Sequence, residues 1–271
     1  MSSPLPLFAL LTLAALPFAD TWQEAFVAGL ILAMFSLVVF TMVFMACLAA
    51  TIDDQAGSSA DDLRAGYDVL VDANASTPVS VDRLRKFEGV DDVVTFLSAG
   101  PQFTIRYRTE PTRWGVTGFD EGLLRHGTPA LSTRLPRFGS DRAAFEAVLA
   151  DPSWIIVDEN FLLRGGGPKD DGPEPGDTVR IFDLGGRPRV LKVAGVLKND
   201  AIFYGSLWPR TAVADFLSPA TVQSRAFLRA DPGTTAAGKE ALARRIAAAT
   251  LTDGTEVATF ETRVAEQFAD T

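Results

Sequence analysis

The first 50 residues of this 271-residue chain contain no lysine or arginine. Their only charged side chains are Asp20 and Glu24, so residues 51–271 carry all 25 basic residues and 32 of the 34 acidic ones. That longer part therefore has a net charge of −7. Nucleic acids and anionic lipid surfaces both require a basic face on the protein, so this acidity argues against either as a partner.

Histidine and cysteine are also nearly absent, since His126 and Cys47 are the only ones. A zinc site with several imidazole ligands is therefore excluded, and a Ser-His-Asp hydrolase has a single candidate base. We interpret His126 as a solvated loop residue between Arg125 and Gly127. Cys47 has no partner with which to form an internal disulfide.

Charge is missing altogether from a long apolar run, Ala25–Ala50, whose only hydroxyl groups are those of Ser36 and Thr41. At 1.5 Å per residue a helix of this length crosses a hydrocarbon core of roughly 30 Å. Its backbone hydrogen bonds are satisfied internally, as lipid requires. The run has no polar stripe and is longer than most buried core helices. It predicts a transmembrane helix, which we place at residues 21–52.

Residues 1–20 contain a second, shorter apolar run, Pro4–Ala19, which is interrupted by prolines and is long enough only for a partial span. A secretory signal peptide is an alternative, although the usual basic n-region is absent. We interpret Asp20–Glu24 as a tight connection, so that the two runs form a helical hairpin. Basic residues flank neither run, so charge does not determine the orientation in the membrane.

Residues 53–271 have the pattern of a water-soluble fold, which follows a predicted polar hinge at Gln55–Asp62. Strands and helices alternate there without a strict βαβ order, so the sequence predicts an α+β fold. Strands are predicted at Tyr67–Asp72, Val90–Leu97, Gln102–Arg108, Trp114–Phe119, Trp154–Val157, Ile202–Tyr204, Arg225–Arg229 and Glu256–Phe260, with a hairpin of Thr178–Asp183 and Arg189–Leu197. Helices are predicted at Ser80–Glu88, Ser140–Ala150, Thr211–Leu217, Gly238–Ala249 and Glu261–Ala269, and an exposed loop at Arg164–Gly176.

Two segments imitate a nucleotide-binding site. Gly233–Glu240 fits the spacing of a phosphate-binding loop, but position 240 is Glu where the motif requires Ser or Thr. A carboxylate there would repel the phosphates. Trp154–Glu159 resembles the apolar strand that ends in acidic Mg²⁺ ligands, but it precedes the loop instead of following it. We therefore expect no ATP site, and interpret the two segments as a helix N-terminus near Lys239 and a strand that leads into a turn at Asp158.

Paired acids offer oxygen ligands for Ca²⁺, but none has the spacing of a calcium loop, so we interpret them as solvated surface. The pairs are Asp53–Asp54, Asp61–Asp62, Asp91–Asp92 and Asp170–Asp171. Asn74 begins an N-glycosylation pattern whose use depends on the organism. The sequence predicts no catalytic residue, no cofactor-binding residue and no metal ligand, and it identifies no substrate-binding residue.

From Ala25 onward, the order of features resembles an FtsX-like, MacB-like permease of ABC transporters, in particular its extracytoplasmic domain with the preceding membrane helix. No single motif is specific, and the ordered series carries the resemblance. The series is LAMFSLVVFTMVFMACLAA in the apolar run, GYDVLVDA at Gly66–Ala73, GVDDV at Gly89–Val93, WGVTGFDEGLL at Trp114–Leu124, WIIVDENFL at Trp154–Leu162, and GDTVRIFD and LKVAGVLK within Gly176–Lys198.

The resemblance implies a membrane protein that is not an enzyme. Such permeases pass motion from a separate cytoplasmic ABC ATPase to a mixed α/β outer domain of one or two lobes, which binds or moves a substrate or a partner. They work as pairs of copies or halves in the lipid bilayer. The resemblance also implies an orientation, with residues after about 52 outside the cell membrane and Asp20–Glu24 inside.

The chain departs from this family in one respect, because family members have three further membrane helices after the outer domain. We therefore interpret the chain as an internal piece of a longer permease and expect that it does not couple to an ATPase alone. The alternative function is a membrane-tethered extracytoplasmic binding or sensor domain, and a tethered enzyme is a weaker third.

Overall fold

Helix α1 extends from Ala19 to Leu63, and among the residues that the structure describes it is the one helix long and apolar enough to cross a membrane. Its segment Gly29–Leu48 has a mean hydropathy of 2.6, and none of that segment is buried. This computed structural model describes residues 19–74, 77–78, 80–163, 172–198 and 202–269. The predicted apolar segment at the start of the chain therefore lies almost wholly outside the described residues.

Two predicted interruptions of α1 are wrong. Asp20–Glu24 and Gln55–Asp62 are both helical, not a connection and a hinge. Neither segment contains proline, and the single glycine of the second, Gly57, costs a helix only about 1 kcal/mol relative to alanine. The helix ends where Ala65 and Gly66 both adopt positive φ angles, of 48° and 83°.

The chain divides into two units, residues 1–54 and residues 55–271. In the described part of the second unit, twelve strands form one continuous sheet. The strands are β1 Val69–Asp72, β2 Val90–Ala99, β3 Gln102–Ile105, β4 Arg108–Arg113, β5 Val116–Phe119, β6 Leu131–Arg134, β7 Trp154–Val157, β8 Thr178–Phe182, β9 Pro188–Leu197, β10 Ser206–Pro209, β11 Val222–Ala230 and β12 Glu256–Thr259. The helices are α2 Val81–Leu84, α3 Asp141–Ala150, α4 Arg210–Leu217, α5 Ala236–Thr250 and α6 Phe260–Ala269, with 3₁₀ turns at Glu121–Leu124 and Leu251–Asp253.

The strand order is β12-β1-β11-β2-β5-β10-β7-β9-β8-β3-β4, and β6 pairs with β9 outside this path. Two pairs are parallel, β5 with β10 and β7 with β9, and the others are antiparallel. The predicted α+β class is confirmed. Because the sheet is continuous, the described residues of this unit make one body with two ends, and not two separate lobes.

Apolar side chains cover both faces of the sheet. On one face, the last turn of α1, helix α3 and helix α6 pack on a core that includes Phe96, Phe119 and Phe227. On the opposite face, α4 covers the strands near Trp208, and α2 and α5 cover the strands near Val69. In the strands that these helices cover, alternate residues thus face different helices, which is the period of two expected for a strand.

Most of the predicted elements occur within a few residues of their predicted bounds, including the β8–β9 hairpin and the helices predicted to begin at Ser80 and Ser140. Ser80 and Ser140 accept hydrogen bonds from backbone amides of α2 and α3. Two strand predictions are wrong, and strand β10 was not predicted. The strand predicted from Gln102 ends at Ile105 and turns back as β4, Ile202–Tyr204 is not a strand, and the buried strand β10 (Ser206–Pro209) follows it instead. Most of the predicted loop at 164–176 lies outside the described residues.

Candidate functional site

The last turn of α1 is embedded in the core of the second unit, and this junction is the candidate functional site. Ala60 and Leu63 have no exposed surface. The carbonyl oxygen of Asp62 accepts a hydrogen bond of 2.6 Å from the Ala130 amide, and its carboxylate pairs with Lys198 Nζ at 2.7 Å. Backbone and side chain of the same residue thus fix the end of the helix to the strands beside it.

A tight backbone contact follows the helix end. A Cβ atom added to Gly66 would lie 2.6 Å from the carbonyl oxygen of His126, and one added to Gly127 would lie 2.7 Å from the carbonyl carbon of Ala65. Gly66 also has a positive φ, which disfavours any other residue. The chain leaving α1 and the loop at His126–Gly127 can therefore approach this closely only because both positions are glycine.

His126 is not a solvated loop residue, so that prediction is wrong. Its side chain is only 15% exposed and lies between Asp92 and Arg229. A guanidinium has donors only, so Arg229 donates to Nδ1. The proton of the imidazole is then on Nε2, which donates to Asp92 Oδ2 at 2.8 Å. The ring also packs edge-on against Tyr67, with centroids 5.3 Å apart.

Asp92 is the centre of this network, which corrects its interpretation as a solvated acid. Burial raises the pKa of Asp92, but hydrogen bonds from His126, from Arg125 and from the Val93 amide more than offset that effect, so its pKa lies below the usual range. Burial is also the main reason that the pKa of the Tyr67 phenol is raised. That hydroxyl donates to the Gly122 carbonyl oxygen at 2.6 Å.

Helix α6 begins beside the point where α1 ends. Glu261 lies 3.7 Å from Arg64, and the Phe260 amide donates to the Asp68 carbonyl oxygen at 3.3 Å. Phe260 and Val264 of α6 belong to the same buried core as Leu63. The end of α1 and the start of α6 therefore lie side by side.

The segment that imitates a phosphate-binding loop is a capped helix start. Thr235 accepts a hydrogen bond from the Gly238 amide and begins α5. Lys239 pairs with Asp68 at 2.6 Å. Hydrogen bonds from Thr259 and Thr262 lower the pKa of Glu240 and hold its carboxylate. Both side chains that would contact a nucleotide are thus committed to the protein itself.

The remaining candidates also have structural partners or lie outside the described residues. Asp158 is fully buried and its carboxylate accepts a hydrogen bond from the Gly205 amide. Asp61 pairs with Arg64 at 2.8 Å. Asp91 is 39% exposed and lies 3.6 Å from Arg229. Asp170–Asp171 is not among the described residues, and within those residues no cluster of three or more metal-ligating side chains occurs.

No protein-family model matches the sequence, and a comparison with curated proteins finds no match either. Solved structures do match. The chain is similar to the extracytoplasmic domains of ABC transporter permeases.

Three solved structures illustrate the similarity. The periplasmic region of MacB from Actinobacillus actinomycetemcomitans is 12% identical, with a TM-score of 0.41 over 78% of this chain and 96% of that one. The extracellular domain of the noncanonical ABC-type transporter YknZ from Gram-positive bacteria is 16% identical, with a TM-score of 0.36 over 71% and 98%. A domain described as part of a permease protein from Porphyromonas gingivalis is 14% identical, with a TM-score of 0.37 over 72% and 89%.

Sequence reasoning missed every member of the Asp92 network. Asp92 is 34 residues from His126 in the sequence, and His126 is 103 residues from Arg229. No local spacing rule links such positions. The pairing of β2 with β11, which aligns Asp92 with Arg229, is what brings them together.

Proposed function

We propose that the chain is a permease subunit of an ABC transporter, or part of one. Residues 21–52 cross the cell membrane, and residues after about 52 form an extracytoplasmic domain. That domain binds or moves a substrate or a partner protein, using motion that a separate cytoplasmic ATPase supplies through the full-length permease. The chain itself carries out no chemical reaction in this role.

The observation that carries the proposal is the burial of the last turn of α1. The apolar segment Gly29–Leu48 has the length and composition that lipid requires. The same helix ends with Leu63 completely buried in the domain core and with Asp62 bonded through its backbone and its side chain. Close-packed interiors transmit displacement with little loss, so movement of this helix would move the sheet.

The adjacent positions of the end of α1 and the start of α6 support the proposal that the domain is part of a longer permease. A domain inserted between two membrane helices must receive and return the chain at nearby points, and Arg64 and Glu261 lie 3.7 Å apart there. We expect the permease to work together with a second permease copy or half, which would contribute further membrane helices to the transporter.

Cysteine labelling tests the location. In a Cys47→Ala background, Lys86→Cys places a thiol on an exposed position of the domain, and Trp22→Cys places one at the other end of the apolar segment. A membrane-impermeant maleimide is expected to label the first in intact cells and the second only after permeabilisation. Labelling of Lys86→Cys only after permeabilisation would overturn the proposed orientation.

A flexible insertion tests the relay of motion. Gly-Ser-Gly placed between Arg64 and Ala65 should uncouple helix from domain, whereas the same insertion between Gly185 and Gly186, in the exposed β8–β9 turn, should not. The measurement is the ATP-dependent change in labelling rate at Lys86→Cys in the full-length permease with its ATPase. The first insertion should abolish that change. Equal behaviour of the two insertions would contradict a relay, and the absence of any ATP effect would favour a tethered sensor.

A further inference from the structure

At the end formed by β3, β4, β8 and β9, the described residues of one face of the sheet include three cationic side chains and no acidic one. Strand register places these side chains in rows, because paired residues point to the same side. We name this surface the basic face and define it by the paired rows. The rows are Arg113, Gln102, Phe182 and Pro188; Thr104, Arg180 and Val190; and Thr178, Lys192 and Trp154.

The cations of the basic face have no carboxylate partner among the described residues. Arg113, Arg180 and Lys192 are all exposed. The two carboxylates closest in the sequence to Arg180 are already occupied. Both oxygens of Asp177 accept from Arg106 at 3.1 Å and one also accepts from the Glu174 amide, whereas Asp183 pairs with Arg187 at 2.7 Å. Three like charges are therefore held near one another without compensation.

A cleft of about 430 Å³ adjoins this row of charges. Its lining residues include Thr104, Thr109, Thr178 and Arg180, together with Arg106 and Asp177, which pair with each other. Arg180 therefore supplies the guanidinium that has no carboxylate partner among the described residues. Hydroxyl and guanidinium donors are the groups that recognise a carboxylate, and arginine can do so through two parallel hydrogen bonds.

Apolar side chains are exposed beside the cations. Val190 is 55% exposed and lies directly opposite Arg180, and Leu184 in the β8–β9 turn is 65% exposed. Cations and apolar groups are thus interleaved at strand spacing. An extended peptide presents side chains to one face with the same period of two, so acidic and apolar side chains in alternation would match this surface.

We infer that the basic face binds an acidic, extended segment of a partner protein. An anionic bilayer fits less well. A flat membrane surface would lie against a whole side of the unit, and the net charge of −7 on residues 51–271 would repel it. A single extended segment contacts only the basic face. Salt screens charge interactions over about 8 Å, so the acidic residues elsewhere in the unit repel the segment only weakly.

The basic face shares no residue with the junction, although β9 contributes to the first and leads to the second. Lys192 and Val190 of β9 belong to the basic face, whereas Lys198, which follows the strand, pairs with Asp62. The inference therefore goes beyond the proposed function, and it requires no ATPase. If the basic face did not bind an acidic segment, the proposed transmission of motion through the junction would not be affected.

The test uses the full chain in nanodiscs of uncharged phosphatidylcholine. The probe is a fluorescent peptide of alternating glutamate and valine, and its binding is followed by anisotropy. R180E/K192E should weaken binding about tenfold or more, since it replaces attraction by repulsion at the centre of the face. The matched control, R85E/K86E, makes the same change in net charge at exposed positions beside α2 and should leave affinity within about twofold.

Two further arms keep the result decisive. If R180E/K192E does not fold, R180Q/K192Q must weaken binding in the same direction, and a peptide with lysine in place of glutamate must not bind. The inference is overturned if the wild-type chain ignores the acidic peptide, or if both charge-reversed variants lose affinity equally. It is also overturned if the chain in nanodiscs binds added vesicles that contain phosphatidylglycerol and R180E/K192E abolishes that binding but leaves peptide binding unchanged.

Discussion

Asp72 and Asp92 lie at the β1 and β2 end of the sheet, and each lies between two cationic or imidazole side chains. Arg180 and Lys192, at the β8 and β9 end, have no carboxylate partner among the described residues. Asp72 pairs with Arg225 at 2.6 Å and lies 3.4 Å from Arg263. Partly buried charges need such partners, because an unpaired charge removed from water is costly. Exposed cations carry no such requirement, so they can remain available for another molecule.

The charges at one end of the sheet are thus paired within the protein, whereas the exposed cations at the other end are available to bind another molecule. At the junction, ion pairs and close-packed aromatic rings fix the chain that leaves α1. At the basic face, the fold tolerates like charges next to one another. The predictions below test whether substitutions at the first end lower the free energy of unfolding more than substitutions at the second.

The largest effect is expected for Phe227→Ala, at the centre of the junction core. The Phe227 ring lies 4.5 Å from that of Phe96 and 4.8 Å from that of Phe260, measured between centroids. Removing it should lower the free energy of unfolding by about 3–5 kcal/mol, through lost burial and the cavity that remains. Urea unfolding of the full chain in detergent, followed by tryptophan fluorescence, measures the loss. The half-exposed Val190→Ala is the control, and a similar loss there would remove the contrast.

Asp92→Asn should cost about 2 kcal/mol at neutral pH, because it removes the ionic acceptor shared by His126 and Arg125. The folded-state pKa of Asp92 is depressed, so its stabilisation is present above the unfolded value of about 4 and is lost as pH falls through the folded value. The stability difference between wild type and variant should therefore shrink as the pH is lowered from about 5 towards 2.

Asp91→Asn is the control for that experiment, since Asp91 is 39% exposed and lies 3.6 Å from Arg229. Exposed pairs of this kind contribute less than about 1 kcal/mol. A difference between wild type and Asp92→Asn that stayed constant down to low pH would show that the carboxylate charge is not what stabilises the network.

The same substitution at the two ends of the sheet gives the most direct comparison. Lys239→Met leaves Asp68 without its ion pair at 2.6 Å and should cost about 1–2 kcal/mol. Lys192→Met removes a cation that has no carboxylate partner among the described residues and should change stability by less than about 0.5 kcal/mol. The melting temperatures of both variants, measured under one condition, are sufficient. Equal shifts in melting temperature would contradict the proposed difference between the two ends of the sheet.

Local patterns were enough to predict much of the fold. The uncharged run of α1, the capping serines at 80 and 140 and the glycines of the β8–β9 turn each act on the few residues beside them. The strand β10 escaped prediction because Ser206–Pro209 is only four residues long and ends in proline. Its place between β5 and β7 depends on Gly205, whose positive φ and contact with Gly115 are set by tertiary packing.

The candidate site could not be predicted in this way. Leu63 is buried in a core whose members extend along the sequence from Ala60 to Val264, and the apolar run gave no sign that its helix continues to that point. His126 was interpreted from its polar neighbours, whereas its surroundings are set by β2 and β11. Charge networks of this kind follow from sheet register, which single-sequence patterns do not specify.

The smallest effect is expected for R113Q/R180Q/K192Q, which neutralises the basic face. Because these like charges repel one another, the variant should be as stable as the wild type or more stable by a few tenths of a kcal/mol, and the gain should disappear in high salt. Unfolding at low and high ionic strength measures both. If neutralisation lowered stability by more than about 1 kcal/mol, the cations would have structural partners, and a surface held free for an acidic segment would no longer explain their arrangement.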